Sequence, residues 1–294
     1  MFLVSSAIAC YLCITDKYDR MINMTKLPTL AIIILDYNEA EYIEKCLLSA
    51  IDQTVPADEI IVVDNNSTDN SVAIVKRIAK ENPAANIRVV SEKQQGMIPA
   101  RNRGLNSAKS EVLGRIDADS TLDRDWVSVV KETFRDKTVA AATGPMIYND
   151  MPLKKAGLRV DHMMRSLVHK TGKYKFLFGS NMAIRRSAWK KIKDKTYFAL
   201  AHEDICHEDV DVSLCLAEED LKIVYNPKMV GGMSARRLED SPKDYAAYNR
   251  KMSNAFKHHG LKTSSAIIPM TIIGAIYPPL KLLRSVYKRT QRGD

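Results

Sequence analysis

Four carboxylates are the residues of this sequence best placed to do chemistry. Asp36, Asp64 and Asp117 each close a short aliphatic run, LAIIIL, IIVV and VLGRI, and Asp119 follows in Asp117-Ala118-Asp119. Two carboxylates two residues apart at the end of a buried strand suit Mg²⁺ or Mn²⁺. Such cations take oxygen ligands, keep several waters, and bind through one or two carboxylates plus substrate phosphates. Singly, each aspartate would serve as a helix cap or a turn residue. Together they favour a site for the uncharged groups of a nucleotide and a cation. No G-x-x-x-x-G-K-[ST] loop is present and no G-x-G-x-x-G follows the first strand, which argues against a P-loop ATPase or an NAD dehydrogenase. A second acidic cluster holds two H-E-D triplets five residues apart, His202-Glu203-Asp204 and His207-Glu208-Asp209, with Asp211 just beyond. Acids at a helix start are favourable near the positive end of its dipole, which accounts for some of them but not all. Both histidines are left out of the metal set. No Ser or Cys nucleophile triad is apparent.

The elements that must position these groups alternate. Leu30 to Leu35, Ile60 to Val63, Ile87 to Val90 and Val112 to Ile116 are short apolar runs that predict buried strands. Between the first two, Ile43, Cys46, Leu47, Ala50 and Ile51 recur at helical spacing and form one apolar face. Ser67, Thr68 and Asp69 are good N-caps for the helix carrying Val72, Val75 and Ala79. Another helix follows Gly96. This pattern predicts an α/β fold: an open, mostly parallel sheet flanked by helices, with ligands at the carboxyl ends of the strands.

The composition fits such a domain. In 294 residues, 46% are hydrophobic and 27% charged, which excludes a disordered chain, a collagen and a polytopic membrane protein. The net charge is +9. The tail from Lys281 to Asp294 sets Lys281, Arg284, Lys288, Arg289 and Arg292 against one aspartate, five minus one, or +4. A basic tail beside an apolar run points to an anionic membrane surface more than to nucleic acid. That run, Thr263 to Leu280, holds 18 uncharged residues including Pro269, Pro278 and Pro279. The prolines predict an interfacial or re-entrant segment rather than a simple span, with a buried helix as the alternative. Met1 to Thr15 is also uncharged but reaches only ~22 Å as a helix, short of a ~30 Å hydrocarbon core. It has no basic n-region, and a start at Met21 or Met24 would place the first strand near the N-terminus. Five cysteines, at 10, 13, 46, 206 and 215, suggest no disulfide framework and read as reduced thiols. Cys10-x-x-Cys13 has no second ligand pair and is a poor zinc site.

Five blocks in order, IIILDYNEAEYI, EIIVVDNNSTDNS, GMIPARNRGLNSA, GRIDADSTLDRDW and the pair GSNMAIRR with HEDVDVSLCL, resemble the family 2 glycosyltransferases of GT-A fold. The resemblance runs from about Leu30 to Asn226. It implies an enzyme that moves a sugar, with inversion, from a nucleotide-diphosphate donor to an acceptor hydroxyl, with Mn²⁺ or Mg²⁺ as cofactor. It implies that Asp36, Tyr37 and Glu39 border the base and ribose, that Asp64 accepts from a uracil imide, and that Arg101 lies near base and phosphate. Asp117 falls on the ribose and sugar side, Asp119 is the metal ligand, and Gly179-Ser180-Asn181 is the acceptor-side loop. Glu208-Asp209 matches the pair that supplies the catalytic base, with Asp209 favoured and Asp204 and Asp211 as competitors. Arg236 and Arg237 would reach a phosphate or be surface charges. No Q-x-x-R-W signature is present, which favours single-sugar transfer over polymerisation. A UDP-sugar donor, a glycan or lipid-linked acceptor, cell-envelope or polysaccharide synthesis, and a place at the cytoplasmic face of the membrane are expected. The division expected is an apolar segment over 1–26, a catalytic domain over 27–240 and a helical extension over 241–294. The alternatives are a sugar-1-phosphate nucleotidyltransferase and a non-catalytic nucleotide-sugar-binding protein.

Overall fold

A computed structural model describes residues 27–196 and 206–292. The apolar segment over 1–26, with Cys10 and Cys13, and the first H-E-D triplet with Asp204 lie outside the described residues. Strand β1 (Leu30–Asp36) is buried along its whole length. Leu30, Ile32 and Ile34 join one core and Ala31, Ile33 and Leu35 the other, so the continuous apolar run is a strand covered on both faces. β1 lies between β2 (Glu59–Asp64) and β4 (Val112–Asp117), parallel to both, and β2 pairs in turn with β3 (Ile87–Ser91). Beyond β4 come β8 (Met182–Arg185), β6 (Val139–Thr143) and β9 (Lys222–Tyr225). Only β8 runs antiparallel to its neighbours.

Helices α1 (Ile43–Ile51), α2 (Ser71–Glu81) and α4 (Trp126–Thr133) cover one face. The other is covered by α3 (Met97–Ser107), α6 (Arg186–Ile192) and α7 (Glu208–Glu218). Gly114 lets the Trp126 ring lie on β4, because a Cβ there would sit 2.5 Å from the ring. The chain steps outward from β1 to β2 to β3, then returns to the other side of β1. The carboxyl ends of β1 and β4 therefore flank a topological switch point, where open α/β sheets bind ligands.

A small second sheet, β5 (Thr121–Leu122), β10 (Gly231–Met233) and β7 (Met146–Tyr148), starts right after Asp119. Its central strand β10 carries the chain past the Asp117-Ala118-Asp119 turn. Helix α5 (Lys154–Thr171) has no buried residue. Helix α8 (Pro242–His258) is capped by Ser241, which accepts from the Asp244 N–H, and packs Ala255 and Phe256 on Val210 and Leu214 of α7.

The run from Thr263 to Leu280 is not re-entrant: Ser264–Arg292 forms one helix, α9. The prolines remove backbone donors without ending it, because tertiary contacts fix its path. Tyr277 is buried and stacks on Tyr245 at 3.8 Å, and Arg284 is buried against Glu239 and Asp150. Lys288 also pairs with Glu239. Much of the basic tail is thus neutralised within the fold. Among the described residues no helix is long and apolar enough to cross a membrane.

Candidate active site

The strand register brings the rim acids together. Asp36 pairs with Asp64 across β1 and β2, and Leu35 with Asp117 across β1 and β4. Asp36 is 1% exposed, and neither carboxylate oxygen has a hydrogen-bond partner among the described residues. Burial, with the charge of Asp64 nearby, pushes its carboxyl up to about 6, although the Ser71 hydroxyl acts to lower it. Tyr37 is half exposed at the mouth. Asn38, in a left-handed conformation at φ 55°, accepts the Thr68 N–H at 2.7 Å through its Oδ1 and ties the loop after β1 to the loop after β2. Asp64 Oδ1 accepts the Ser67 N–H at 2.9 Å.

The two acids after β4 are held by different arginines. Asp117 accepts from Arg115 Nη2 at 2.7 Å. Asp119 Oδ2 lies 3.1 Å from Arg236 Nη2, and the same guanidinium donates to Glu39 at 3.0 Å. Burial, followed by the charge of Asp117, raises the Asp119 carboxyl to about 6 despite Arg236. Glu39 is thus ion-paired with Arg236. Arg236 follows β10 and sits over Tyr42 at 5.4 Å, while Arg237 stacks over Tyr248 at 3.9 Å. Both acids already face a guanidinium, and both offer the carboxylate oxygens that a divalent ion such as Mn²⁺ or Mg²⁺ takes as ligands.

Across the cleft, α7 opens with Glu208 and Asp209. Glu208 accepts from Arg115 Nη1 at 2.6 Å, and its backbone carbonyl accepts from Arg101 Nη1 at 3.0 Å. Burial works to raise Glu208, but Arg115 and Arg101 outweigh it and hold the carboxyl at about 2. Asp209 Oδ2 accepts the Gly179 N–H at 2.9 Å. Its carboxyl is raised, first by burial and then by the charge of Glu208. Two adjacent carboxyls are thus driven in opposite directions, one toward a permanent anion and one toward a proton acceptor. His207 meets Tyr248 edge-on at 4.3 Å, and His207, Glu208 and Asp209 offer ligand atoms within 4.8 Å of one another.

Several expected roles change. Arg101 is 1% exposed, so its guanidinium does not reach the donor rim; it braces Glu208 from behind. Burial lowers its pKa. Asn181 is wholly buried: Oδ1 accepts from Trp126 Nε1, and Nδ2 donates to the carbonyls of Pro145 and Met229. It organises the loop instead of lining it. Gly179 has no room for a side chain, since a Cβ would meet Arg115 Nη1 at 2.0 Å. Ser180 turns its hydroxyl to Met233. Asp211, a competitor for the base, is buried against His259.

Arg115 was missed. The signal was an arginine inside the apolar run VLGRI, where a charge must be paired to be buried. Burial opposes its charged state, but Asp117, Glu208 and Asp209 together raise its pKa. It links Asp117 to Glu208.

A family model described as Glycosyl transferase family 2 matches residues 31–193. A hyaluronan synthase of Pasteurella multocida is 34% identical over 119 residues, 40% of this chain and 12% of that protein. The glycosyltransferase AglE of Haloferax volcanii is 35% identical over 103 residues, 34% of each chain. The chain therefore spans only a minor part of the length of these relatives. Among solved structures, the mannosyltransferase PcManGT from Pyrobaculum calidifontis, in complex with GDP-Man and Mn²⁺, superposes with a TM-score of 0.66 at 19% identity, over 92% of this chain and 76% of that one. The glucosyl-3-phosphoglycerate synthase of Mycobacterium tuberculosis, in complex with Mn²⁺, UDP and phosphoglyceric acid, superposes with a TM-score of 0.54 at 16% identity over 80% of each. These two likenesses establish a shared fold.

Proposed function

The chain belongs to glycosyl transferase family 2, and from that premise we propose that it transfers a sugar, with inversion, from a UDP-sugar to an acceptor hydroxyl. The observation that carries this reading is the placement at the start of α7 of Glu208, fixed by Arg115 and Arg101, and of Asp209, bonded to the Gly179 N–H, with Arg115 joining Glu208 directly to Asp117 on the sheet rim. The acceptor oxygen attacks the anomeric carbon and its proton passes to Asp209. The bond from that carbon to the diphosphate oxygen breaks, and its electron pair leaves with the diphosphate. Glu208, anionic and fixed by Arg115, keeps the field around Asp209 favourable to taking a proton. Asp119, with Asp117 beside it, would hold Mn²⁺ or Mg²⁺, which supplies positive charge to the departing diphosphate. Arg236 offers a second, fixed positive charge at the same rim. Tyr37 and Asp36 border the base and ribose, and Asp64 is offered to a uracil imide. Gly179 and Ser180 flank the acceptor.

The acceptor is a glycan or lipid-linked sugar of the cell envelope or a polysaccharide, at the cytoplasmic face of the membrane. The similarity to a hyaluronan synthase supports a polysaccharide setting. The test is a pair of variants. Asp209→Asn should lower kcat by ~10²–10⁴-fold with donor affinity nearly unchanged. Asp119→Asn should lose Mn²⁺-dependent nucleotide binding. Full transfer activity in Asp209→Asn, with donor binding intact, would overturn the assignment of the base.

A further inference from the structure

One turn and two turns along α7 from Glu208, Asp211 and Cys215 join His259 to bring one oxygen, one sulfur and one nitrogen within 4.8 Å of one another. Asp211 and Cys215 are four residues apart on one helix and so share a face. His259 lies at the C-terminal end of α8 and is brought there by the packing of Ala255 and Phe256 on Val210 and Leu214. Asp211 is 2% exposed and Cys215 1%. Asp211 Oδ1 faces His259 Nε2 at 3.0 Å, but its other oxygen, Oδ2, is buried without a hydrogen-bond partner among the described residues. A buried carboxylate oxygen left unpaired is costly and calls for an explanation.

We propose that Asp211, Cys215 and His259 form a binding site for one Zn²⁺-class divalent cation, distinct from the donor site.

The donor set fits that class. A thiolate and an imidazole beside one carboxylate suit zinc, whereas Mg²⁺ and Ca²⁺ take oxygen ligands alone. One carboxylate and one thiolate neutralise a divalent charge, as a buried site requires. His259 Nδ1 is hydrogen-bonded to Glu218. That carboxylate would hold the ring with its proton on Nδ1 once a cation replaces the hydrogen bond that Nε2 now makes to Asp211. Binding releases the Cys215 thiol proton, and one more wherever His259 is protonated. Three protein ligands leave a fourth position for water. The cation would staple the end of α8 to α7, the helix whose first two residues are Glu208 and Asp209. The 43 residues between Cys215 and His259 explain why sequence spacing does not reveal the site.

The experiment is Co²⁺ and Zn²⁺ titration of the metal-free, full-length protein in a Cys10→Ser/Cys13→Ser background, which removes the other cysteine pair. One equivalent of Co²⁺ should give the intense visible bands of a tetrahedral site and a thiolate-to-metal charge-transfer band, both displaced by Zn²⁺. Cys215→Ser should abolish the charge-transfer band. His259→Gln should weaken Zn²⁺ binding at least ~100-fold and Glu218→Gln ~10–100-fold. Asp119→Asn should leave it unchanged. Circular dichroism checks that each variant folds, and if Cys215→Ser does not, the Co²⁺ spectrum of the background protein decides. Absence of the charge-transfer band in that protein, or equal Zn²⁺ affinity in folded Cys215→Ser, overturns the proposal.

Discussion

At the end of β1, Asp36 is buried with neither oxygen hydrogen-bonded among the described residues, and its carboxyl is raised from an ordinary 3.8 to about 6, chiefly by burial. A residue that costs stability at the mouth of a site fits the pattern in which function is kept at the expense of the fold. Below about pH 4 the group is neutral in folded and unfolded chains alike and carries no penalty. Between pH 4 and 6 the unfolded chain ionises first, and above 6 the whole penalty is present. Asp36→Asn should therefore stabilise the protein by ~1–3 kcal/mol above pH 6, and by only a small fraction of that near pH 4. Denaturant melts at both pH values measure this; an equal gain at pH 4 would mean that the charge is not the cause. Donor affinity in the same variant should fall if Asp36 borders the ribose. The case of Asp36 also marks what can be read from residue type alone. That the acid closes an apolar run is visible in the sequence, whereas its lack of any partner depends on what the loops after β1 and β2 do with their own polar groups.

Elements were legible where a periodic pattern coincides with a local stop signal. The four strands β1 to β4 and the helices between them stand out because buried parallel strands are continuous apolar runs and α1 keeps one apolar stripe. Roles set by distant contacts were not. Arg101 looks like a surface base beside a nucleotide until α7 is seen lying over it, and the link between Arg115 and Glu208 joins residues 93 apart. Arg236 reaches Asp119 only because β10 sits between β5 and β7. Asn181 is the clearest case. It sits just before β8 and holds the Trp126 indole of α4, the carbonyl of Pro145 ahead of β7 and the carbonyl of Met229 ahead of β10. A polar residue in a loop motif suggests ligand contact, while burial turns it into a clamp between three elements. Asn181→Ala would strand one buried donor and two buried carbonyls, each costing ~1–3 kcal/mol. The variant should lose at least ~3 kcal/mol in urea unfolding, and Asn181→Asp should not rescue it because the acid has no N–H for the carbonyls. A loss confined to acceptor KM, with stability intact, would restore Asn181 to the substrate side.

Across the whole molecule, two helices present apolar side chains to solvent. On α9, Leu282, Leu283 and Val286 are exposed, and on α5 Val160, Met163 and Leu167 follow helical spacing along one side. Such stripes need cover, and a transferase with a lipid-linked acceptor would find it at a membrane interface. The charge distribution limits how that contact works. Arg284 and Lys288 are engaged with Glu239 and Asp150, and Lys281 donates to the backbone carbonyl of Asp240, so the tail does not act as a free polybasic segment. Attraction worth ~1 kcal/mol per basic residue near an anionic surface is reduced accordingly, and apolar insertion carries more of the binding. Cosedimentation with vesicles containing anionic lipid should therefore fall strongly for the Leu282→Ser/Val286→Ser variant. Arg289→Gln should weaken it less, and added salt should weaken the wild type only partly. Loss of binding in salt with no effect of the serine substitutions would instead assign the contact to charge. A full-length protein that ignores such vesicles at low salt would remove the membrane from the proposed function while leaving the sugar-transfer chemistry of Asp209 and Asp119 untouched.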